Sequence, residues 1–496
     1  MRCPDREWRC IVSAAILRHP AYVEWPADPR DRLPLTLWDS EAIAKAVNGQ
    51  ASCAFQVAGV EMDSRDVVNG DLFIALKGEA MDGHRFLAKA FENGAAAAIV
   101  DRPVDYPHVL VQDTTEALKA LATMARSRTQ AKIIGVTGSV GKTGVKEAIF
   151  ASLERASRGA AHRSTRSYNN HVWVPLSLAR MPARSRFGIF EMGMNNAGEI
   201  EGLSKQVRPN IAVITTIAPA HIENLGSMEA IAEAKAEIFS GLERGGIAVI
   251  PADSEYFERL RLAAIRMEAK IISFGRAPHA DIRLLDAIPS ANGGSLVTCE
   301  FDSGRLCYTV AEPGDHWVIN SLAVMAAVRA AGGDMAAAGL ALAEMGGLKG
   351  RGARHGISVP GGTALMIDES YNANPASMRA TLAQLGQTPS SRRIAVLGSM
   401  KELGDFAERF HGALSEPLIA ADVDYAIFVG EEMRALAREL GKPAFNSLGK
   451  PLEWEHCNTA GEAIGLLEQF GIIAGDAVLV KGSNSVGLGK LVDHFT

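Results

Sequence analysis

An α/β protein of three domains is what this sequence predicts, and three observations carry that expectation. The chain has 496 residues, and at roughly 150 residues per domain that length suggests about three domains. Short apolar runs alternate with segments of helical period, the order of parallel strands wrapped by helices. Polar motifs recur just past the apolar runs, where open α/β sheets bind their ligands. The expected layout is an amino-terminal extension (1–34), a small α/β domain (35–130), a central phosphate-loop domain on a parallel sheet (131–346) and a Rossmann-like carboxy-terminal domain (347–496).

Composition excludes several classes of function. A net charge of −6 disfavours bulk nucleic-acid binding and gives no special attraction to membranes. Cys3, Cys10, Cys53, Cys299, Cys307 and Cys457 contain no C-x-x-C pair. They read as reduced thiols of a cytoplasmic protein, neither a disulfide frame nor a zinc site. No apolar run approaches the ~20 residues of a membrane span. The run 11–17 is too short for a secretory leader and lacks a small-residue cleavage site. Weak periodicity and many arginines mark residues 1–34 as a poorly ordered extension, or as the product of a start codon placed upstream of the true one.

In the first domain a helical pattern opens with Leu37, Ile43 and Val47. Stretches 57–60, 72–76 and 97–100 read as strands, with a helix over 86–93. Two polar clusters, Asp63-Ser64-Arg65 and Asp82-Gly83-His84, interrupt them and by themselves read as solvated loops.

The central domain begins with its most informative stretch, Ile133-Ile134-Gly135-Val136-Thr137-Gly138-Ser139-Val140-Gly141-Lys142-Thr143. An apolar run, spaced glycines, Lys-Thr and then the helical spacing of Val145, Ile149 and Leu153 give strand, phosphate-cradling loop and helix. The glycines let backbone N–H groups turn toward phosphate oxygens, and the helix N-terminus adds a positive field. Lys142 can neutralise outer phosphates and the Thr143 hydroxyl can ligate Mg²⁺, so the stretch reads as an ATP site. The spacing is G-x-x-G-x-x-G-K-T; a standard loop would need glycine where Val136 stands.

Apolar runs at 187–191, 211–216 and 246–250 continue the expected parallel sheet. Thr143, Glu191 and His221 fall where such strands end, a set able to hold Mg²⁺ on ATP. A helix is expected over 227–242, with Ile231, Ile238 and Leu242 on one stripe and Lys235 inside it. Such a lysine either snorkels off the helix edge or sits desolvated at a site, its amine neutral and able to take up carbon dioxide as a carbamate.

The third domain opens on the basic run 349–355 and continues with strands expected at 364–367, 394–397, 425–429 and 477–480, helices between them. Polar motifs again follow the strands: Asp368-Glu369-Ser370-Tyr371-Asn372-Ala373-Asn374-Pro375, Gly398-Ser399-Met400-Lys401-Glu402-Leu403-Gly404 and Lys481-Gly482-Ser483-Asn484. A phosphate site in one domain and polar strand ends in the next predict a substrate cleft between them.

Taken with Tyr168-Asn169-Asn170, Glu191-Met192-Gly193-Met194-Asn195, Ala220-His221-Ile222-Glu223 and Ala234-Lys235-Ala236-Glu237-Ile238-Phe239, these motifs resemble the Mur ligase family from about residue 63 to residue 490. The phosphate loop matches that family's own variant. The Tyr-Asn-Ala-Asn-Pro and 398–404 motifs resemble the branch that joins D-alanyl-D-alanine to UDP-N-acetylmuramoyl-tripeptide, a step of peptidoglycan precursor synthesis in the bacterial cytoplasm. The resemblance implies an ATP-dependent amide ligase working through an acyl phosphate, with two Mg²⁺ ions, a carbamate on Lys235, and a third domain that closes over ATP. It implies that Gly138, Ser139, Gly141, Lys142 and Thr143 hold the phosphates and that Thr143, Glu191, His221 and carbamylated Lys235 hold the metals. Asn320 would lie near the adenine. Arg351 and Asp368 would reach the phosphates from the third domain, with Tyr371, Asn372 and Asn374 nearby. Ser64 and Arg65 would receive the uridine diphosphate end, and Asn169 and Asn170 the precursor. Lys142, Lys235, His221 and Arg351 are the expected catalytic set, in a monomer that binds no nucleic acid.

The chain departs from the family pattern at Val172-Trp173, Asn69, Ser399 and Asn484, none of them an expected phosphate or metal ligand. Other readings are a different Mur-type or folylpolyglutamate synthase-like ligase, a catalytically inactive nucleotide-binding relative, and a generic phosphate-loop ATPase or kinase. The last gives no role to Lys235 or to the third domain.

Overall fold

A computed structural model describes residues 36–496 except 79–80, 166, 168, 291–292 and 303. The expected extension 1–34 and Tyr168 lie outside the described residues. Three larger α/β sheets succeed one another along the chain.

The first sheet runs parallel through Gly59–Glu61, Asp71–Ile74, Ala97–Val100 and His108–Leu110, with Gln50–Ala51 antiparallel at its edge. The single strand expected at 57–60 is two. Gln56–Val57 pairs antiparallel with Trp38–Asp39, and only Gly59–Glu61 joins the sheet. The helix expected from Leu37 starts at Ser40, because the Asp39 carboxylate accepts the Ala42 N–H at 2.7 Å and caps it.

The central sheet has nine strands, in the order Ala161–Arg163, Phe187–Glu191, Lys132–Thr137, Ile211–Ile214, Ile247–Pro251, Lys270–Gly275, Ile282–Pro289, Ser295–Phe301, Gly304–Val310. The first seven run parallel, whereas the last two are added by antiparallel pairing, so the sheet is mixed where a parallel one was expected. Lys132–Thr137 lies between Phe187–Glu191 and Ile211–Ile214. After it the chain builds the strands on one side, then crosses to the other, so the phosphate loop leaves the sheet at a topological switch point. Its alternate residues feed two cores. Ile134 and Val136 pack with Ile149, Leu153 and Leu322, and Ile133 packs with Val174, Phe190 and Ile238.

In the third sheet the order is Ala353–Val359, Gly362–Glu369, Ala477–Lys481, Arg393–Gly398, Tyr425–Val429, Pro451–Cys457, Ala444–Phe445. Its five inner strands are parallel, and an antiparallel strand closes each edge. The strand Ala353–Val359 overlaps the basic run that was read as a domain opening.

Both seams between the sheets are packed. The central helix Trp173–Ala179 contributes Leu176 and Ala179 to the core that holds Trp38, Ile43, Leu118 and Leu121. The ring of Trp173, large where the family pattern has a small residue, packs against this core and fills the seam. Arg180 ties the same helix to the first domain, donating from Nε to the Val60 carbonyl at 2.5 Å and pairing with the buried Glu61 carboxylate. On the other side, Ile222 and Ile231 share a core with Met378, Leu397, Met400 and Leu403 of the third domain.

Candidate active site

The phosphate loop has the geometry its sequence implies. Gly141 takes φ +83° at the start of helix Lys142–Ser157, and a Cβ there would stand 2.8 Å from the amide nitrogen of Asn320. Asn320, expected near the adenine, thus sits beside the loop's last glycine. Lys142 folds back and donates to the Gly138 carbonyl at 2.8 Å. Ser139 is buried and clamps the loop to the segment leading to His221. Its hydroxyl donates to the Ala218 carbonyl at 2.8 Å and accepts the Ala218 N–H at 3.0 Å, and its own N–H donates to Thr216.

Thr143 donates its hydroxyl to Glu191 at 2.9 Å, at the end of the neighbouring strand. Asn169 donates its amide to the other Glu191 oxygen at 2.8 Å. Ser164 accepts the Glu191 N–H at 3.1 Å, and the buried Lys146 donates to the Ser164 carbonyl at 3.0 Å. Lys146 is a site residue that sequence reasoning missed, although its position four after Lys142, beside Val145 and Ile149, was the available signal. Asn170 accepts the N–H groups of Val172 and Trp173 and starts the helix there.

Lys142 is the electrostatic centre. Burial lowers its pKa and Arg351 adds to the effect, while Glu191 and Glu402 oppose it. Lys235 is fully buried, its ammonium nitrogen has no hydrogen-bond partner, and burial, then Lys142, push its pKa well below the usual value. The expected 227–242 helix stops at Ala236 and continues as a 3₁₀ turn over Glu237–Gly241, which leaves Lys235 in the last α-helical turn. His221 has φ +59°, a left-handed conformation, and its Nδ1 lies 2.5 Å from Glu402 Oε2 of the third domain, at an angle poor for a hydrogen bond. That contact, and then Lys142, hold the Glu402 carboxyl below its ordinary range against the effect of burial.

From the third domain, the Arg351 guanidinium stacks 4.4 Å from the centre of the Tyr371 ring with its Nε buried and unpaired. Asp368 braces it. One carboxylate oxygen accepts the Gly350 N–H at 2.7 Å and the other accepts Ser370 at 2.6 Å. Asn374 caps helix Pro375–Gln387 in a capping box with Ser377, and Asn372 accepts the Ala373 N–H while its carbonyl accepts Lys481 at 2.9 Å. Asp368 and Ser139, and the side-chain oxygens of Asn372, Asn374 and Asn170, therefore hold loops in shape. An Asn-Pro pair such as Asn374-Pro375 is itself an N-cap signal, with proline at the first helical position. In the first domain, Arg65 is exposed and pairs with Asp63, while Ser64 is buried and its carbonyl accepts the Asn93 amide at 2.8 Å.

Among the described residues no three His, Cys, Asp or Glu side chains form a ready-made metal cage. The buried Thr143–Glu191 pair at the loop still fits Mg²⁺, which takes one or two protein oxygens and fills its shell with water and phosphate. No helix among the described residues is long and apolar enough to cross a membrane.

Comparison with known proteins agrees with this arrangement. The chain matches the Mur ligase family catalytic domain over residues 56–130, the Mur ligase middle domain over 136–328 and the Mur ligase glutamate ligase domain over 357–484. It is 31% identical to the UDP-N-acetylmuramoyl-tripeptide–D-alanyl-D-alanine ligase of Rickettsia prowazekii, over 92% of this chain and 100% of that one. To the ligase of the same name from Bacillus subtilis it is 34% identical, over 88% and 92%. Among solved structures it superposes on MurF from Acinetobacter baumannii with a TM-score of 0.78 at 29% identity, covering 93% of this chain and 99% of that one. MurF ligase from Thermotoga maritima in complex with ADP gives 0.70 at 26% identity, over 88% and 96%. With its phosphate loop, its strand-end acid and a match along almost its whole length, this chain belongs to the Mur ligase family.

Proposed function

We propose that the chain joins D-alanyl-D-alanine to UDP-N-acetylmuramoyl-tripeptide at the expense of ATP, releasing ADP and phosphate in peptidoglycan precursor synthesis. The observation that carries the reading is the convergence on Lys142 of Lys235 and Glu191 from the central domain and of Arg351 and Glu402 from the third. A nucleotide-binding protein without phosphoryl chemistry has no use for so many charges gathered from two domains around one lysine, two of them, Glu191 and Lys235, fully buried.

A carboxylate is a poor acyl donor. Transfer of the γ-phosphoryl group of ATP makes the tripeptide's terminal carboxylate an acyl phosphate, and the dipeptide amine then attacks the carbonyl carbon, passes a tetrahedral intermediate and expels phosphate. Both steps gather negative charge on phosphoryl and carbonyl oxygens. Lys142 would follow the phosphates by leaving the Gly138 carbonyl, and Arg351, braced by Asp368 and stacked on Tyr371, would meet the same charge from the third domain. Thr143 and Glu191, with His221, would hold Mg²⁺, which when bound would supply Lewis-acid stabilisation of that charge. Closure of the third domain on the His221 segment would exclude water that would hydrolyse the acyl phosphate. Ser64, Arg65, Asn169 and Asn170 would hold the precursor, with Asn320 beside the nucleotide.

Lys235 fits a carbamate. An unpaired buried ammonium is costly, whereas its neutral amine can add to carbon dioxide, forming an N–C bond and releasing a proton to water. The carbamate would be a second anionic ligand for Mg²⁺ facing Lys142. The chain would then work as three domains, 35–130, 131–346 and 347–496, in a cytoplasmic monomer.

The test is phosphate release from ATP with the tripeptide precursor in the presence and absence of D-alanyl-D-alanine. Release should require both, with formation of the UDP-linked pentapeptide; release indifferent to the dipeptide would sink the reading.

A further inference from the structure

Glu402 adds to the field at Lys142 but has no task of its own in the account above, yet it is the third-domain group in direct contact with His221. Among the described residues only eight non-glycine residues have positive φ: Asn48, Arg158, Arg208, His221, Glu268, Asp302, Glu402 and Asp422. His221 and Glu402 are two of these eight and they touch across the seam, at 2.5 Å. Left-handed backbone at a non-glycine residue costs about 1 kcal/mol or more and persists where the surroundings impose it. Here both residues are turned so that their side chains meet.

Their surroundings hold that meeting in place. The Glu402 carbonyl accepts the Glu223 N–H at 3.4 Å. Gly404, φ +52°, lies against Glu223 so closely that a Cβ would stand 3.0 Å from its side chain. Ile222 on one side and Met400 and Leu403 on the other belong to one apolar core. The groups facing Glu402 are His221 and Lys142. A carboxylate this close to imidazole Nδ1 favours a proton on that nitrogen by its charge and leaves Nε2 as the nitrogen free to act as a ligand.

We infer that Glu402 is a positioning residue: by docking on His221 it lets the third domain set the imidazole for the Mg²⁺–nucleotide site, so that nucleotide binding and domain closure favour one another. The coupling is reciprocal, as linkage requires. This rests on the ligase reading for its purpose, but its test uses neither acceptor nor dipeptide.

Glu402→Gln and Glu402→Ala would be compared with wild type in binding the non-hydrolysable analogue AMP-PNP, with and without Mg²⁺, by calorimetry. The side chain is half-exposed, so the apo melting temperature serves as the folding control. The expected result is roughly tenfold weaker binding with Mg²⁺, little change without it, and a larger radius of gyration for the analogue-bound variant than for the analogue-bound wild type. In a double-mutant cycle, Glu402→Ala should add almost nothing in a His221→Ala background. Binding within about threefold of wild type, or full additivity of the two substitutions, overturns the inference. If the ligase reading alone is wrong, phosphate release loses its dependence on the dipeptide while the Mg²⁺-dependent binding defect of Glu402→Gln remains.

Discussion

Lys235 is the residue at which stability and chemistry part company. Its ammonium is buried without a partner, so Lys235→Met, similar in length and apolar, should raise the melting temperature by a few degrees, while ligation falls by several orders of magnitude. Partial rescue of Lys235→Ala by short-chain carboxylic acids would mark the lost group as a carboxylate; full activity of the alanine variant without them would remove the carbamate from the mechanism. Glu312 gives a second test. Burial, then the Glu369 charge, raise its pKa from 4.5 to about 8, with Arg354 opposing. Between those values the folded protein binds a proton that the unfolded chain has released. Stability therefore falls as pH rises through that window, by up to about 1.4 kcal/mol per unit. Glu312→Gln should flatten the slope, so that between pH 5.5 and 8 wild type loses more melting temperature than the variant.

At the scale of single elements, residue type and period made most of the fold legible. Fully buried runs such as 133–136 and 425–429 are parallel-strand signatures, and Gly-Lys-Thr between strand and helix marks the loop. The hairpin strands Ser295–Phe301 and Gly304–Val310 were missed, although Val297 and Cys299 alternate with Thr298 and Glu300; half-buried strands carry a weaker signal than apolar runs. Sequence alone pointed to Thr143 through Gly-Lys-Thr, and to Glu191 and Lys235 as polar residues in an apolar context; the structure brings Thr143 to Glu191 and buries Lys235. Glu402 was not legible, because an acid in a glycine-flanked loop looks solvated until the fold brings it to His221. Nor was Arg180, whose partner Glu61 lies 119 residues away. That buried pair should matter to both elements it joins. Arg180→Met strands the Glu61 carboxylate and should cost about 3 kcal/mol in denaturant unfolding, and Glu61→Gln should recover part of the loss.

Across the whole molecule the two seams are built differently. The first and central domains share a core through helix Trp173–Ala179, sealed by Trp173 and fastened by Arg180. The central and third domains meet around Ile222, His221 and Glu402, and again where Glu312 faces the charged Glu369 and Arg354, so that much of this seam is polar. Hydrogen exchange should therefore show the first seam protected with or without nucleotide, and the 221–226 and 400–404 segments gaining protection when AMP-PNP and Mg²⁺ are added. Equal protection of both seams in the apo protein would contradict that division.

The close fit of Gly404 over Glu223 also bears on how such an enzyme could be inhibited. A compound competing for the phosphate loop must outbid cellular ATP for a surface shaped like that of many other proteins. A compound seated between Gly404 and Glu223 would meet a surface outside the phosphate loop and hold the domains apart like a doorstop. It would not resemble any substrate, and raising the ATP concentration would not fully displace it. Resistance by enlarging Gly404 would carry its own penalty, since the side chain that evicts the drug would also keep the door from shutting.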